Sequence, residues 1–406
     1  SKDKENTGIN GGHYVMTFYG QEKVEYNAKL CLMNMAVHGL NGIIKSGDEA
    51  NTFYHDAHNL DGCCDYVMAN PPFNVDKVNA ESTQSAGRLP FGLPGINKNK
   101  EFGNANYLWI SYFYSYLNET GRAGFVMASS ATDSANKDRD IRQKLVETGH
   151  VDVMVSVGNN FFYTKSLPCS LWFFDKGKKA DLRDKVLFLD ARNYYTVVDR
   201  TLNEWSEWQL KNLNAIVWLY RGEVEKYQNL IAEYTQRIKS FVTSIVDFQT
   251  GTLELEMLPD FYREANAQGR KLREKATQIS NLNACAEIQQ MLDDYLRLQK
   301  AAATKFADYL EENKMKTVVK ELIASRAGRG PARVQWYVKE LNGVISSHEQ
   351  SICACLNIVK EAQWLYEKFG EGEYQDIPGL CKVATRAEIA EKNSAFIFNL
   401  PLLYYM

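Results

Sequence analysis

The chain has 406 residues, of which 45% are hydrophobic and 24% charged, and it carries a net charge of −3. That length accommodates two or three domains with cores of their own, and the composition is that of an ordinary globular protein rather than a disordered or fibrous one. The slightly acidic balance excludes a uniformly basic nucleic-acid binder, leaving room for a local basic patch or a partner that supplies the charge. No apolar run approaches the roughly 20 residues of a membrane span, and the opening SKDKENTGINGG lacks the pattern of a signal peptide. The eight cysteines show no paired CxxC spacing, and several sit inside apolar runs. That usage fits a reducing cytoplasm better than a disulfide scaffold or a zinc site.

Residues 1–200 alternate short apolar runs with helical patterns, which predicts an α/β domain. Strands are expected at Tyr14–Tyr19, Thr52–Tyr54, Tyr66–Ala69, Gly124–Ala128, Val151–Val157, Ser170–Phe174 and Val186–Leu189. Helices are expected at Gln21–His38, Ala105–Asn118 and Arg139–Glu147. The segment Val75–Phe102 is rich in Gly, Asn, Ser and Lys. A loop of that length in a compact domain is usually functional or mobile. From 201 to 371 the pattern changes. Val224, Tyr227, Ile231, Tyr234, Ile238, Phe241 and Ile245 recur at helical spacing, as do Ile288, Leu292, Tyr295 and Leu296. Val334, Tyr337, Leu341, Ile345, Ile352, Leu356 and Val359 form a third such series. Three long amphipathic helices predict a bundle or coiled-coil arm. Arg326, Arg329 and Arg333 punctuate the break before the third; they read as a solvated loop, with phosphate contact as the sharper alternative. A last segment, 372–406, returns to mixed character.

The most informative stretch is DYVMANPPFNVDK, in which an apolar strand ends in Asn70, Pro71, Pro72 and Phe73. Open α/β sheets bind ligands at the carboxyl ends of their strands. The Asn70 amide and the Pro71 carbonyl can together accept both hydrogens of an exocyclic amino group, leaving its nitrogen lone pair free to attack. The prolines fix the backbone, and Phe73 offers a face for a planar group. This is a design for methylating an amino nitrogen of adenine or of an amide. The blander reading is that Asn-Pro merely stops a strand and starts a turn. Two acids sit where a nucleoside would need them. Glu22 follows the strand in HYVMTFYGQE and could hold ribose hydroxyls, or simply favour a helix N-terminus. Asp56, in NTFYHDAHNL, could accept from an adenine amino group, or act as a turn or cap aspartate. His55 and His58 have no evident third ligand and read as loop residues.

These residues resemble the methylation subunit of type I DNA restriction–modification systems. The matching blocks are YGQEKVEYNAKLCLMNMAVHGL, DYVMANPPFNVDK, NANYLWISYFYSYLNETGRAGFVM, NNFFYTKSLPCSLWFFDKGK and VLFLDAR, in family order across residues 19–192, with a weaker match at YQDIPGLCKVATRAEIAEKN. The resemblance implies a Rossmann-like α/β methyltransferase sheet followed by a long-helix region. It implies N6-adenine DNA methylation from S-adenosyl-L-methionine onto a base flipped out of the duplex. Asn70, Pro71, Pro72 and Phe73 would form the catalytic motif, Phe162 or Tyr163 would stack on the flipped adenine, and Glu22 and Asp56 would hold the cofactor. Double-stranded DNA and the specificity and restriction subunits are the implied partners, the specificity subunit docking on the helical region and reading the target sequence.

The chain departs from the family in starting just downstream of the strand and glycine-rich loop, D-P-x-x-G-[ST]-G-G, that wraps the methionine moiety. Gly8, Gly11 and Gly12 do not replace that loop, and the end NSAFIFNLPLLYYM differs from the family's N-P-G-R-Y-V-like close. A truncated version of the subunit is therefore expected, with a sheet incomplete at its N-terminus. In the family's topology the absent strand lies between those bearing Glu22 and Asn70, so two strand edges should be left unpaired. Cofactor binding by this chain alone is expected to be weak or absent. The alternatives are a non-catalytic assembly protein that binds the specificity subunit, and a protein-glutamine methyltransferase, whose motif is similar.

Overall fold

The computed structural model describes residues 16–162, 166–245, 247, 258–309 and 330–392. Two compact units result: one runs to Glu204 and resumes at Asp376, and the other comprises Trp205–Gln375.

The first unit begins with β1 (Phe18–Glu22), α1 (Glu25–Val37) and β2 (Gly42–Ser46), β1 and β2 pairing in parallel as a separate two-stranded sheet. β3 (Cys64–Ala69) follows, then a two-residue pairing of β4 (Val78–Asn79) with β5 (Glu101–Phe102), which brackets α2 (Ala80–Ser85). α3 (Asn106–Ser115), β6 (Leu117–Ala128), α4 (Asn136–Glu147), β7 (Val151–Val157), β8 (Cys169–Asp175) and β9 (Lys185–Asp190) come next. The small hairpin of β10 (Thr196–Asp199) with β11 (Leu202–Glu204) closes this run. After the second unit, β12 (Cys381–Thr385) pairs antiparallel with β9. The six-stranded sheet thus has the order β12–β9–β7–β8–β6–β3. β3 is parallel to β6, and β7 to β9, while β8 runs against both β6 and β7. Hence β3, β6, β7 and β9 point the same way, and their carboxyl ends share one edge.

Sequence explains the centre of this sheet well. VDVMVSV and CSLWFFD are near-continuous β-branched and aromatic runs, as strands covered on both faces must be, and every residue of β7 except Ser156 is buried. α3 covers one face with eight consecutive buried residues, Asn106 to Phe113. Trp109 stacks on Phe113 with ring centroids 6.0 Å apart, and Phe113 meets Phe125 of β6 at 4.9 Å. α4 buries Ile141, Arg142, Leu145 and Val146, the one-sided spacing of a surface helix. It ends at Gly149, whose φ of +73° and whose approach to the Arg183 carbonyl (2.8 Å from a hypothetical Cβ) admit no side chain.

Three expectations need correction. Thr52–Tyr54 is a turn, because Asn51 accepts from Phe53 N through its side chain and from Tyr54 N through its carbonyl, folding the backbone away from extension. The strand lies earlier, at Gly42–Ser46. Gln21 and Glu22 belong to the end of β1 rather than to the helix after it. Residues 376–392, within the segment expected to stand apart from 372 on, belong with the first unit, since their CKVAT stretch lines the β9 edge of its sheet.

The second unit is helical: α5 (Glu207–Tyr220), α6 (Val224–Thr243), a single turn at Leu258–Phe261, α7 (Arg263–Thr277), α8 (Cys285–Tyr309) and α9 (Gly330–Phe369). Ser206 and Gln209 form a reciprocal capping box at the start of α5. Tyr227, Tyr234 and Ile238 of α6, Ile288, Leu292 and Tyr295 of α8, and Ile352, Leu356 and Val359 of α9 are buried, as their spacing requires. α8 packs against α7 and α9, and α6 against α5, α7 and α9. The side chains of Val334, Tyr337, Leu341 and Ile345, and the three arginines of the preceding break, lie outside the described residues. No helix among the described residues is long and apolar enough to cross a membrane.

Candidate active site

At the end of β3 the chain turns over the carboxyl edge of the sheet. Asn70 is exposed there, Pro71 buried, Pro72 exposed and Phe73 half-buried. The turn ends at Asn74, whose φ of +56° is a conformation asparagine tolerates better than most residues. A reciprocal amide pair holds it. Asn74 N donates to Asn106 Oδ1 at 2.9 Å, and Asn106 Nδ2 donates to Asn74 Oδ1 at 2.9 Å. Asn104 donates to the same Asn74 oxygen at 3.0 Å and accepts from Asn106 N at 2.8 Å. Asn106 is 3% exposed and opens the most deeply buried helix of the unit, so the exposed Asn74 is tied to a residue fixed in the core. Tyr107, next along α3, donates to the carbonyl of Ala131, fixing the loop after β6 as well.

Because β3 and β7 point the same way, the loop after β7 reaches the same edge. The ring of Phe162 lies edge-on to that of Phe73, centroids 6.5 Å apart at 75°. Two of the expected residues from distant positions are thus neighbours. Tyr163 lies outside the described residues.

The two acids occupy a different corner. Glu22, half-buried, accepts from Val24 N at 2.8 Å, just ahead of the first turn of α1. Asp56 stands in the loop after β2, its Oδ2 accepting from Asp61 N at 3.0 Å and its Oδ1 from the Tyr116 hydroxyl at 3.4 Å. Gln21, beside Glu22, clasps the same loop, donating to the His55 carbonyl and accepting from Ala57 N, each at 3.1 Å. His58 completes the clasp, its Nε2 2.9 Å from the Gly20 carbonyl and its ring against Tyr19. Burial pushes the Tyr116 phenol up to about 12, so it stays protonated at neutral pH as a donor.

No bond among the described residues joins Asn70–Phe73 directly to Glu22 or Asp56. The two corners are connected through the long loop flagged in the sequence. Asn79 N donates to the Tyr54 hydroxyl at 3.1 Å, and Arg88 reaches back to both Thr52 and Tyr116. Gln21, Asn74, Arg88, Asn104, Asn106 and Tyr116 all escaped the sequence reading. Signals were present in the GQE and GNAN stretches, but polar loop residues have no periodicity to betray a partner.

The sequence model of one family, described as N-6 DNA Methylase, matches residues 4–241. The chain belongs to the N-6 DNA methylase family. Among its relatives is the type I restriction enzyme MjaIX methylase subunit of Methanocaldococcus jannaschii, 36% identical over 49% of this chain and 35% of that protein. The type I restriction enzyme HindI methylase subunit of Haemophilus influenzae is 30% identical over 47% of this chain and 41% of its own length. The chain therefore corresponds to well under two thirds of either relative. A type I restriction-modification methyltransferase subunit from Streptococcus thermophilus, 18% identical over 50% of this chain and 47% of its own, superposes with a TM-score of 0.43, too low to carry an argument.

Proposed function

We propose that this member of the N-6 DNA methylase family is the modification subunit of a type I restriction–modification complex, methylating N6 of adenine in double-stranded DNA. The observation that carries this reading is the Asn70-Pro71-Pro72-Phe73 turn held rigidly at the carboxyl edge of β3, with Phe162 presented beside it. Asn70 Oδ1 and the Pro71 carbonyl accept the two amino hydrogens of a flipped adenine, which localises the nitrogen lone pair for attack. Phe73 and Phe162 supply aromatic surface to a base that has lost its stacking neighbours. Since the turn is tied to the buried Asn106 before any base arrives, little reorganisation remains at the moment of reaction.

S-Adenosylmethionine is the methyl donor in this reading, and the residues present fit its adenosine end. Asp56 is held as an acceptor for an amino group, and Glu22 stands at the end of the adjoining strand. For the methionine end the described residues provide no cradle: none of them forms a strand that pairs with both β1 and β3, and no glycine-rich loop borders the Gln21–Asp56 corner. When bound, the cofactor supplies a methyl group made electrophilic by its sulfonium. This chain's residues orient the nucleophile and hold the nucleoside. The specificity and restriction subunits are the proposed partners, in line with a surface whose net charge does not itself favour DNA.

Two measurements test the reading. Radiolabelled methyl transfer to duplex DNA by the complete complex containing this chain should appear at N6 of adenine. Transfer to a peptide glutamine, or none at all, would overturn it. Calorimetry on the isolated chain should show weak binding of S-adenosylmethionine, and tight stoichiometric binding would show that this chain holds the methionine end as well.

A further inference from the structure

Arg88 is an odd residue to find in a long polar loop. It is 7% exposed, and its φ of +63° is a left-handed conformation that long side chains rarely adopt. Its guanidinium lies 4.4 Å over the ring of Tyr112 and 5.7 Å from that of Tyr116. Nη1 donates to the Tyr116 hydroxyl at 2.9 Å and Nη2 to the Thr52 carbonyl at 3.0 Å, while the buried Nε has no hydrogen-bond partner. Among the described residues no carboxylate comes within ion-pairing distance of it. A buried cation normally has its counter-charge beside it. Here the nearest one in the network is a step away, for Tyr116, accepting from Arg88, can give its own proton to Asp56 Oδ1 or to Gln21 Oε1, both at 3.4 Å. Strain, burial and an unmet donor together are the kind of local cost that persists at a site whose geometry matters.

We propose that Arg88 is a positioning residue for Asp56: by fixing the direction of the Tyr116 hydroxyl it orients the carboxylate that receives the amino group of a bound adenine nucleoside. Asp61 N takes Oδ2 and Tyr116 takes Oδ1, which leaves the carboxylate turned in one direction with its remaining lone pairs for the ligand. The Arg88 contact to Thr52 secures the start of the same loop, so the segment from Thr52 to Asp61 is held at both ends. Because Arg88 sits on the loop that follows the Asn70–Phe73 turn, it couples the placement of the nucleoside corner to that of the turn. This inference rests on the reading of Asp56 as a cofactor carboxylate, and its test separates the two.

The first measurement needs no ligand. Native-state hydrogen exchange on the full chain should show Ala57 and Asp61 amides exchanging about tenfold faster in Arg88→Met and in Tyr116→Phe, with β7 and β8 unchanged. The double variant should be no faster than either single one, since both cut one relay. Acceleration spread over β7 and β8, multiplicative effects, or an unchanged loop would each overturn the inference. The second measurement uses 5′-methylthioadenosine and its hypoxanthine counterpart, which lack the methionine end. Arg88→Met should weaken the adenine compound about tenfold and leave the hypoxanthine compound unaffected, with Arg88→Lys restoring part of the difference. Equal losses for both compounds would mark Arg88 as merely structural. Should Asp56→Asn alter binding of neither compound, the cofactor role of Asp56 fails, and the Arg88–Tyr116 relay stands or falls on the exchange data.

Discussion

The turn after β3 and the corner made by β1 with the loop 51–61 carry the two halves of the proposed site, and they rest on different foundations. The turn is anchored to α3, in which Asn106 to Phe113 are all buried. The corner rides on a two-stranded sheet and on α1, where Ala28 alone is buried while Tyr26, Met33 and Val37 are 68%, 60% and 79% exposed. One half therefore takes its precision from hydrogen bonds to a helix that packing locks in place, worth about 1.5–3 kcal/mol for each large side chain. The other takes it from a few directed hydrogen bonds through Gln21, His58, Tyr116 and Arg88, worth about 1 kcal/mol apiece. The difference teaches that the target-base half is preformed, whereas the nucleoside half is a polar clasp that a bound ligand or partner would firm up by mass action.

The largest effect should come from the preformed half. Asn70→Ala removes the amide proposed to accept an amino hydrogen in the transition state, yet its side chain is exposed. Methyl transfer by the complete complex should fall by roughly 10²–10³-fold while the chain's unfolding midpoint stays put. Retained activity would remove the motif from catalysis. Next comes Asn106→Ala, which removes the acceptor of Asn74 N and one of the two donors to Asn74 Oδ1. Leaving the part-buried Asn74 N–H without its acceptor should cost about 1 kcal/mol in urea unfolding and lower transfer in parallel. A neutral result would mean that the turn is not held by α3, and the contrast between the two halves would collapse.

Which parts of this were readable from sequence follows from how information is stored along a chain. β7 and β8 announce themselves as unbroken apolar runs, and the Asn-Pro-Pro-Phe turn is visible because proline and asparagine write backbone geometry into the residue itself. Phe162 was reachable only through the family resemblance, since nothing local ties it to Phe73. Thr52–Tyr54 misled because TFY has the composition of a strand, whereas the decisive residue is Asn51 just before it. The pairing of β12 with β9 joins segments about 190 positions apart, as in Cys381 with Leu189, and no local pattern encodes such a partner. Arg88 and the Asn74–Asn104–Asn106 cluster stayed hidden for the same reason. Their meaning lies in mutual geometry, and in sequence they are polar residues of a loop.

The smallest expected effect probes the open edge of the sheet, at the strand that bears the turn. β3 reads CDYVMA, the apolar pattern of an interior strand, yet it ends the sheet, with Tyr66 64% and Met68 93% exposed. Ordinary packing logic expects substitution of a methionine in such a strand to be ruinous. Its observed exposure expects the opposite. Met68→Lys should change the urea midpoint by no more than about 0.5 kcal/mol, the range of surface exchanges. It should also reduce self-association in light scattering, because a charge on an exposed apolar edge opposes strand-to-strand contact. A loss above about 2 kcal/mol would show that something covers Met68 in solution. In that case β3 would not be an open edge, and the case for a weak cofactor half would have to rest on the polar clasp alone.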